Sequence, residues 1–265
     1  MPQKERIVER VTVSIVMPAY NAERYIETAV RSVMAQTFTD WELIIIDDGS
    51  RDSTVDVIER LVREDNRIIF LRNETNMGVA KTRNRGMEQS HGRYIALLDS
   101  DDVWYPEKLE KQVGLAKETG ADIVYCSYAI VDENGEKKCN DFIVPETTDY
   151  NASLVKSVIS CSTALLSRHV MDRYQFDSTY YHEDLALWLQ LLKDGCRACG
   201  VTDVLAVYRV MDGTRAANKL KSAAHRWQIY HELLGLPFGK SAMLLLEYGM
   251  LGLQKYRKRS NSAKG

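Results

Sequence analysis

The chain has 265 residues, of which 45% are hydrophobic and 27% charged, and its formal net charge is -2. That length supports one large domain, or one domain with an addition, around a sizeable buried core. A nearly balanced charge gives no long-range field for nucleic acid, and no ladder of aromatic and basic residues supplies one locally, so nucleic acid is not an expected partner.

Residues Met1 to Arg10 lack the apolar stretch of about 7 to 15 residues that a secretory signal requires. No uncharged apolar run approaches the ~18 to 20 residues that span a bilayer. A cytoplasmic location is therefore expected, with any membrane contact peripheral. Cys126, Cys139, Cys161, Cys196 and Cys199 are odd in number and irregularly spaced, which suits reduced thiols better than a disulfide framework. Cys196 and Cys199 form a lone CxxC without a second pair, and a loop running into a strand accounts for it better than a zinc site does.

In chain order, Thr12 to Met17 reads as a strand broken by Pro18-Ala19-Tyr20-Asn21. Helical spacing follows at Tyr25, Ile26, Ala29, Val30, Val33 and Met34. Glu42 to Ile46 is a second buried strand ending in Asp47-Asp48-Gly49-Ser50, and Ser53 with Asp56 opens a helix carrying Val57, Ile58, Leu61 and Val62. Arg67 to Leu71 is the third strand. The turn Asn73 to Gly78 leads into a helix from Val79 to Gln89. Strands alternating with helices imply repeated βαβ units, and hence a parallel sheet with right-handed crossovers.

The fourth strand is an apolar run, Tyr94 to Leu98, that ends in Asp99-Ser100-Asp101-Asp102. Apolar residues without alternation suit a strand covered on both faces, and parallel sheets bind ligands at the carboxyl ends of their strands. Clustered carboxylates repel unless protons or a cation neutralise them, which points to Mg2+ or Mn2+ with substrate phosphates. Two other readings stand beside it: a turn and capping cluster, or the nucleophile loop of a haloacid-dehalogenase-type phosphatase.

A helix after Pro106 and a strand at Asp122 to Cys126 continue the pattern, which loosens from Asp132 to Asn151. A short strand is expected near Thr163 to Leu166. Glu183-Asp184 opens a helix with Leu185, Leu187, Trp188, Leu191 and Leu192, closed by Gly195; acids there are also simple helix-dipole partners. Val204 to Tyr208 reads as a strand. Only helical signals remain afterwards, roughly Lys219 to Leu234 and Lys240 to Lys258.

Taken in order, Pro18 to Asn21, Asp47 to Ser50, Asn76 to Asn84, Asp99 to Asp102, Glu183-Asp184 and Tyr208-Arg209 resemble the family 2 glycosyltransferases of the GT-A fold over residues 12 to 210. The ordered set is more specific than any one motif and displaces the phosphatase reading. The resemblance implies an α/β fold, a Rossmann-like and mainly parallel sheet flanked by helices. On that basis residues 1–215 form the GT-A domain, with a nucleotide-sugar half near 12–105 and an acceptor half near 106–215, and 216–265 form a C-terminal helical appendage with a basic tail.

The resemblance also implies roles. Tyr20 flanks the nucleotide base, Pro18 beside it belongs to the substrate-binding set, and Asp48 accepts a hydrogen bond from the uracil imide. Asp101 binds the divalent metal, Mn2+ or Mg2+, and Asp99 supports the nucleotide or sugar. Asp184 is the base, with Glu183 beside it. Arg83 is a weaker cation for the nucleotide, because an arginine on a helix surface is usually only solvated. Asp102 and Trp104 line the sugar or acceptor site, although Trp104 also suits plain packing.

The chemistry agrees with those roles. Diphosphate leaves poorly until its charge is neutralised, and a sugar hydroxyl attacks C1 only when a carboxylate takes its proton. Direct displacement inverts the anomeric centre. Leu205 to Val210, Asn218-Lys219 and Trp227 to Tyr230 look like bacterial enzymes of teichuronic acid, capsule and O-antigen assembly. Where those often carry serines, this chain has Thr214-Arg215-Ala216-Ala217. The expected reaction moves a hexose from a UDP-sugar to a polyprenyl-diphosphate-linked saccharide; a polyprenyl-phosphate glycosyl synthase and a silent nucleotide-sugar-binding subunit are the alternatives. Met243 to Leu246, Met250, Leu251 and Leu253, followed by Lys255, Arg257, Lys258 and Arg259, read either as a helix docking on anionic lipid or as a packed helix with a solvated tail.

Overall fold

A computed structural model describes residues 11–211 and 219–262, with side chains described for 11–211 and 222–250. Thr214 to Asn218, the side chains of Lys219, Leu251 and Leu253, and those of the basic cluster Lys255 to Arg259 therefore lie outside the described residues.

Four parallel strands make the first half of one sheet: β1 (Val13–Ala19), β2 (Trp41–Asp47), β3 (Ile68–Arg72) and β4 (Tyr94–Leu97), in spatial order β3-β2-β1-β4. Every residue of β1, β2 and β4 is buried, as unalternated apolar strands require. Helices α1 (Ile26–Met34), α2 (Thr54–Glu64) and α3 (Val79–Glu88) connect them. Beyond β4 come β5 (Val103–Trp104), α4 (Lys108–Thr119), β6 (Ile123–Val131), β7 (Thr147–Thr148), α5 (Tyr150–Val155), a 3-10 turn Cys161–Thr163, β8 (Leu165–Ser167), α6 (Arg168–Met171), α7 (Glu183–Lys193) and β9 (Ala198–Arg209). They extend the same sheet in the order β4-β8-β6-β9-β5, with β7 also on β9.

Four expectations change. The first strand does not break at Pro18 but runs on to Ala19, with Pro18 opposite Ile46. The Val16 carbonyl accepts the Leu98 amide and the Ala19 carbonyl the Asp48 amide. Strand alternation thus aims the nitrogen of Pro18 toward β4, which has already left the sheet, so no ladder bond is lost. Ser53 holds the N-cap position of α2 but makes no side-chain capping bond; Asp52 Oδ1 accepts the Thr54 amide at 3.1 Å instead. The strand expected at Thr163 to Leu166 starts two residues later and lies antiparallel between β4 and β6. The last strand spans Ala198–Arg209, with Cys199 inside it, because a register shift at Cys126 to Tyr128 lets it follow the whole of β6.

Apolar side chains fill both faces. One cluster joins the sheet to α1, α2 and α4, and a second joins it to α3 and α7. Helix α3 lies close to the strands at Gly86, where a Cβ would meet Val16 at 2.5 Å and Ile46 at 2.6 Å. That approach sets the height of Arg83, one turn earlier, above the strand ends. Past β9 come α8 (Lys219–Gln228), a π turn Ile229–Leu233 and α9 (Phe238–Ser262), and the π turn and α9 pack on α5 and α7 through Leu154, Leu185, Leu189, Ile229, Tyr230 and Leu244.

Candidate active site

A cavity of about 840 Å³ opens where β1, β2 and β4 end, and it reaches the start of α7 and the helices α8 and α9. Of the residues the sequence singles out, Pro18, Tyr20, Asp48, Arg83, Asp99, Asp101, Glu183 and Asp184 line it, although they come from five separate segments. Tyr20 is 46% exposed at the mouth and follows directly on β1.

Asp48 is buried just past β2. Its Oδ1 accepts the Asn73 amide group at 2.7 Å and the Met77 N–H at 2.8 Å, and its Oδ2 accepts the Gly78 N–H at 2.9 Å. Gly78 is the N-cap of α3 and has φ 87°, so this carboxylate sits at the positive end of a helix and pins the loop before it. A carboxylate has about four acceptor positions, so one remains for a ligand donor.

The acidic turn is held from behind. Arg209 donates its backbone N–H to Asp102 Oδ1 at 2.8 Å and its Nε–H to the Asp101 carbonyl at 3.0 Å, and Ser162 Oγ accepts the Asp99 amide at 3.1 Å. Burial, and then the neighbouring Asp99, push the Asp101 carboxyl up to about 6. A carboxylate whose charge a neighbouring carboxylate disfavours is a donor that a cation would settle. No cluster of three or more His, Cys, Asp or Glu suited to a metal occurs among the described residues. The neighbouring Asp99 and Asp101 carboxylates suit a cation held by one or two protein oxygens, as Mg2+ commonly is.

Asp102 and Trp104 do not line the cavity. Asp102 is 1% exposed, and burial, then Asp101 and Asp99, push its carboxyl well above the ordinary range, which favours the neutral acid. Trp104 is 2% exposed, donates its indole N–H to the Ser162 carbonyl at 2.7 Å, and lies under the Lys108 ammonium, 3.8 Å from the ring centroid. Both support the acidic turn from within the protein, so their expected place at the sugar or acceptor is corrected.

Arg83, expected as a weaker cation for the nucleotide, lines the cavity and is only 4% exposed rather than solvated on the helix surface. It donates to Asp99 Oδ1 at 2.5 Å and to Glu183 Oε1 at 2.9 Å, joining the two halves of the cavity wall. Burial opposes its charge, but Asp99, Cys161 and Glu183 more than offset that and raise its pKa, so it stays protonated. Asp184 is half-buried at the start of α7. Its Oδ1 accepts the adjacent Leu185 N–H at 2.8 Å, while the N-cap position belongs to His182. Burial pushes its carboxyl above the usual range, with Arg83 opposing, which makes it a stronger base than a free aspartate.

Sequence reasoning missed Ser160, Tyr181, His182, Ser222 and Tyr248 in the cavity wall. Tyr181 and His182 directly precede Glu183, so that pair carried a readable signal; Ser222 and Tyr248 sit on helices whose docking no local pattern announces.

With this geometry in view, the sequence profile described as "Glycosyl transferase family 2" matches residues 14–174. The chain belongs to that family. It is 36% identical over 243 residues to TuaG of Bacillus subtilis (strain 168), a glycosyltransferase provisionally assigned to teichuronic acid biosynthesis, covering 92% of this chain and 96% of TuaG. It is 34% identical over 245 residues to WfgD of Escherichia coli, a UDP-Glc:alpha-D-GlcNAc-diphosphoundecaprenol beta-1,3-glucosyltransferase, covering 92% of this chain and 94% of WfgD. The crystal structure of S. aureus TarS 1-349 in complex with UDP-GlcNAc shares the fold, with a TM-score of 0.72 at 21% identity over 89% of this chain and 71% of TarS 1-349. The protein is thus a family 2 glycosyltransferase with the GT-A fold.

Proposed function

We propose that the protein transfers a hexose from a UDP-sugar to a polyprenyl-diphosphate-linked saccharide, with inversion at C1 and with a divalent cation. The observation that carries this is one cavity walled by Asp48, Asp99 with Asp101, and Asp184, with Arg83 bonded to both Asp99 and Glu183. The names of WfgD and of the TarS complex, which concern UDP-sugars, agree with the choice of donor.

In this reading the uracil imide donates to the remaining acceptor position of Asp48, and Tyr20 covers the base. The diphosphate lies over Asp101, which with Asp99 would hold Mn2+ or Mg2+. Bound there, the ion acts as a Lewis acid that neutralises the leaving diphosphate. Asp184 takes the proton of the acceptor hydroxyl as its oxygen attacks C1 from the face opposite the diphosphate. The new C1–O bond forms as the bond to UDP breaks, so an α-linked donor yields a β-glycoside.

The membrane-linked acceptor suggests a peripheral seat on the inner face of the membrane. Helix α9 exposes Met243, Leu246 and Met250 at 57%, 69% and 57%, spaced as one helical stripe, and the sequence then carries Lys255, Arg257, Lys258 and Arg259. The deciding experiment is a screen of UDP-hexoses for donor hydrolysis by purified protein with Mn2+. Turnover of one sugar, with UDP binding on calorimetry, supports the assignment; neither hydrolysis nor UDP binding overturns it.

A further inference from the structure

The wall of the cavity beside Asp184 is built by parts of the chain that the donor half does not contain. Tyr181 and His182 come just before α7, and Ser222 and Tyr248 come from α8 and α9. Each of the larger groups is fixed from behind by one face of α8. Ser222 Oγ lies 2.8 Å from His182 Nε2. The His225 ring is stacked on Tyr181, with centroids 4.5 Å apart and planes 14° apart. The Arg226 guanidinium covers the Tyr248 ring at 4.1 Å from its centroid. Residues 222, 225 and 226 are neighbours on one helical face, so a single element sets three wall residues at once.

Arg226 is itself immobilised. It is 7% exposed and donates to the Leu154 carbonyl at 3.3 Å and to the Tyr230 hydroxyl at 2.9 Å. The wall is therefore anchored through α5 and the π turn to the cluster that holds the π turn and α9 against α7. Residues that order side chains in advance reduce the entropy a ligand must lose on binding, which is what a recognition surface gains from such backing.

The chemistry of the wall names its occupant. Two backed aromatic rings alternate with a hydroxyl and an imidazole, and a pyranose presents the matching pattern of an apolar C–H face and hydroxyl edges. The hydroxyl that attacks must sit against Asp184, so the ring that carries it lies against the wall flanking Asp184. We infer that Tyr181, His182, Ser222 and Tyr248 form the subsite for the acceptor's reacting sugar ring, and that α8 is the positioning element that holds it. This rests on the transfer reaction proposed above. It makes the C-terminal helices part of acceptor recognition, so the protein selects its acceptor largely with a segment separate from the one that selects its donor.

The test uses the full chain and a panel of monosaccharides linked by diphosphate to a short alkyl chain, with UDP affinity measured in parallel by calorimetry. Tyr181→Ala and Tyr248→Ala should raise the acceptor KM about tenfold or more, the equivalent of one lost favourable contact, while UDP affinity stays within twofold. Ser222→Ala, which removes only the hydroxyl behind His182, should raise acceptor KM several-fold, and Tyr248→Phe should restore most of what Tyr248→Ala loses. If an alanine variant fails to fold, as judged by circular dichroism, Ser222→Ala carries the test alone. An unchanged acceptor KM in the folded variants overturns the inference, as does an equal loss of UDP affinity, which would assign the wall to the donor. Failure of the wild type to glycosylate any panel member overturns the transfer reaction itself, and this inference with it.

Discussion

Asparagine in place of Asp184 separates chemistry from structure at this site. The side chain's hydrogen bond among the described residues is to the Leu185 N–H at 2.8 Å, and an asparagine oxygen accepts that bond equally well. Helix capping is not at stake, because His182 occupies the N-cap. The sign of the pKa shift sets the effect on stability. Burial raises the folded pKa above the unfolded value, so the group favours the folded state when protonated, and that advantage fades as pH climbs from the unfolded pKa through the folded one. At neutral pH the ionised Asp184 is a cost to folding, and Asp184→Asn should melt at or above the wild-type temperature, the difference closing in acid. Activity should move the other way. Losing a positioned base lowers rate by about 10²- to 10⁴-fold, or about 2.7 to 5.4 kcal/mol of transition-state stabilisation. The assay is single-turnover transfer with saturating donor and metal, alongside thermal melting. The acid limb of the wild-type kcat/KM profile should fall above the ordinary aspartate range, and transfer should decline as pH drops through it. Turnover by Asp184→Asn within a few fold of wild type would refute the assignment.

Chelation by EDTA should abolish transfer and added Mn2+ or Mg2+ restore it, and Asp101→Asn should weaken Mn2+ binding in the presence of UDP on calorimetry; full activity in excess chelator would overturn the metal role. Arg83→Met should destabilise the fold by about 3 to 5 kcal/mol in urea unfolding, because it strands Asp99 and Glu183 without their shared cation, and Arg83→Met with Glu183→Gln should recover part of that loss. Flotation with anionic liposomes should be lost on removal of residues 255–265; equal flotation after truncation would exclude the basic tail from membrane contact.

The parallel half of the sheet and the loops at its strand ends were legible because their signals are local. Unbroken apolar runs such as Leu43 to Ile46 and Ile95 to Leu98 meet polar turns directly, and each turn lies where a strand must stop. The environment of each side chain was less legible. Arg83 looks like any helical arginine until Gly86 lets α3 descend onto Val16 and Ile46, which carries the guanidinium between Asp99 and a Glu183 that lies 100 residues away in sequence. Asp102 and Trp104 share a motif with Asp101 but face the interior, because β5 pairs with β9 and turns them away from the cavity.

The same contrast explains why the strand-end side of the cavity was easier to read than the wall beside Asp184. Asp48, Asp99 and Asp101 are placed by strands whose register is set by neighbours of the same βαβ repeat, so motif order stands in for spatial order. The wall beside Asp184 depends on the π turn after α8 docking across α5 and α7, a contact made by Leu154, Leu185, Leu189, Ile229 and Tyr230 that no periodicity within α8 specifies. Ser222, His225 and Arg226 read as ordinary polar residues of an amphipathic helix until their partners His182, Tyr181 and Tyr248 are in place. Side chains placed at strand ends can be read from motif order, whereas those placed by helices that dock through tertiary contacts take their positions from the part of the chain least constrained by the sheet.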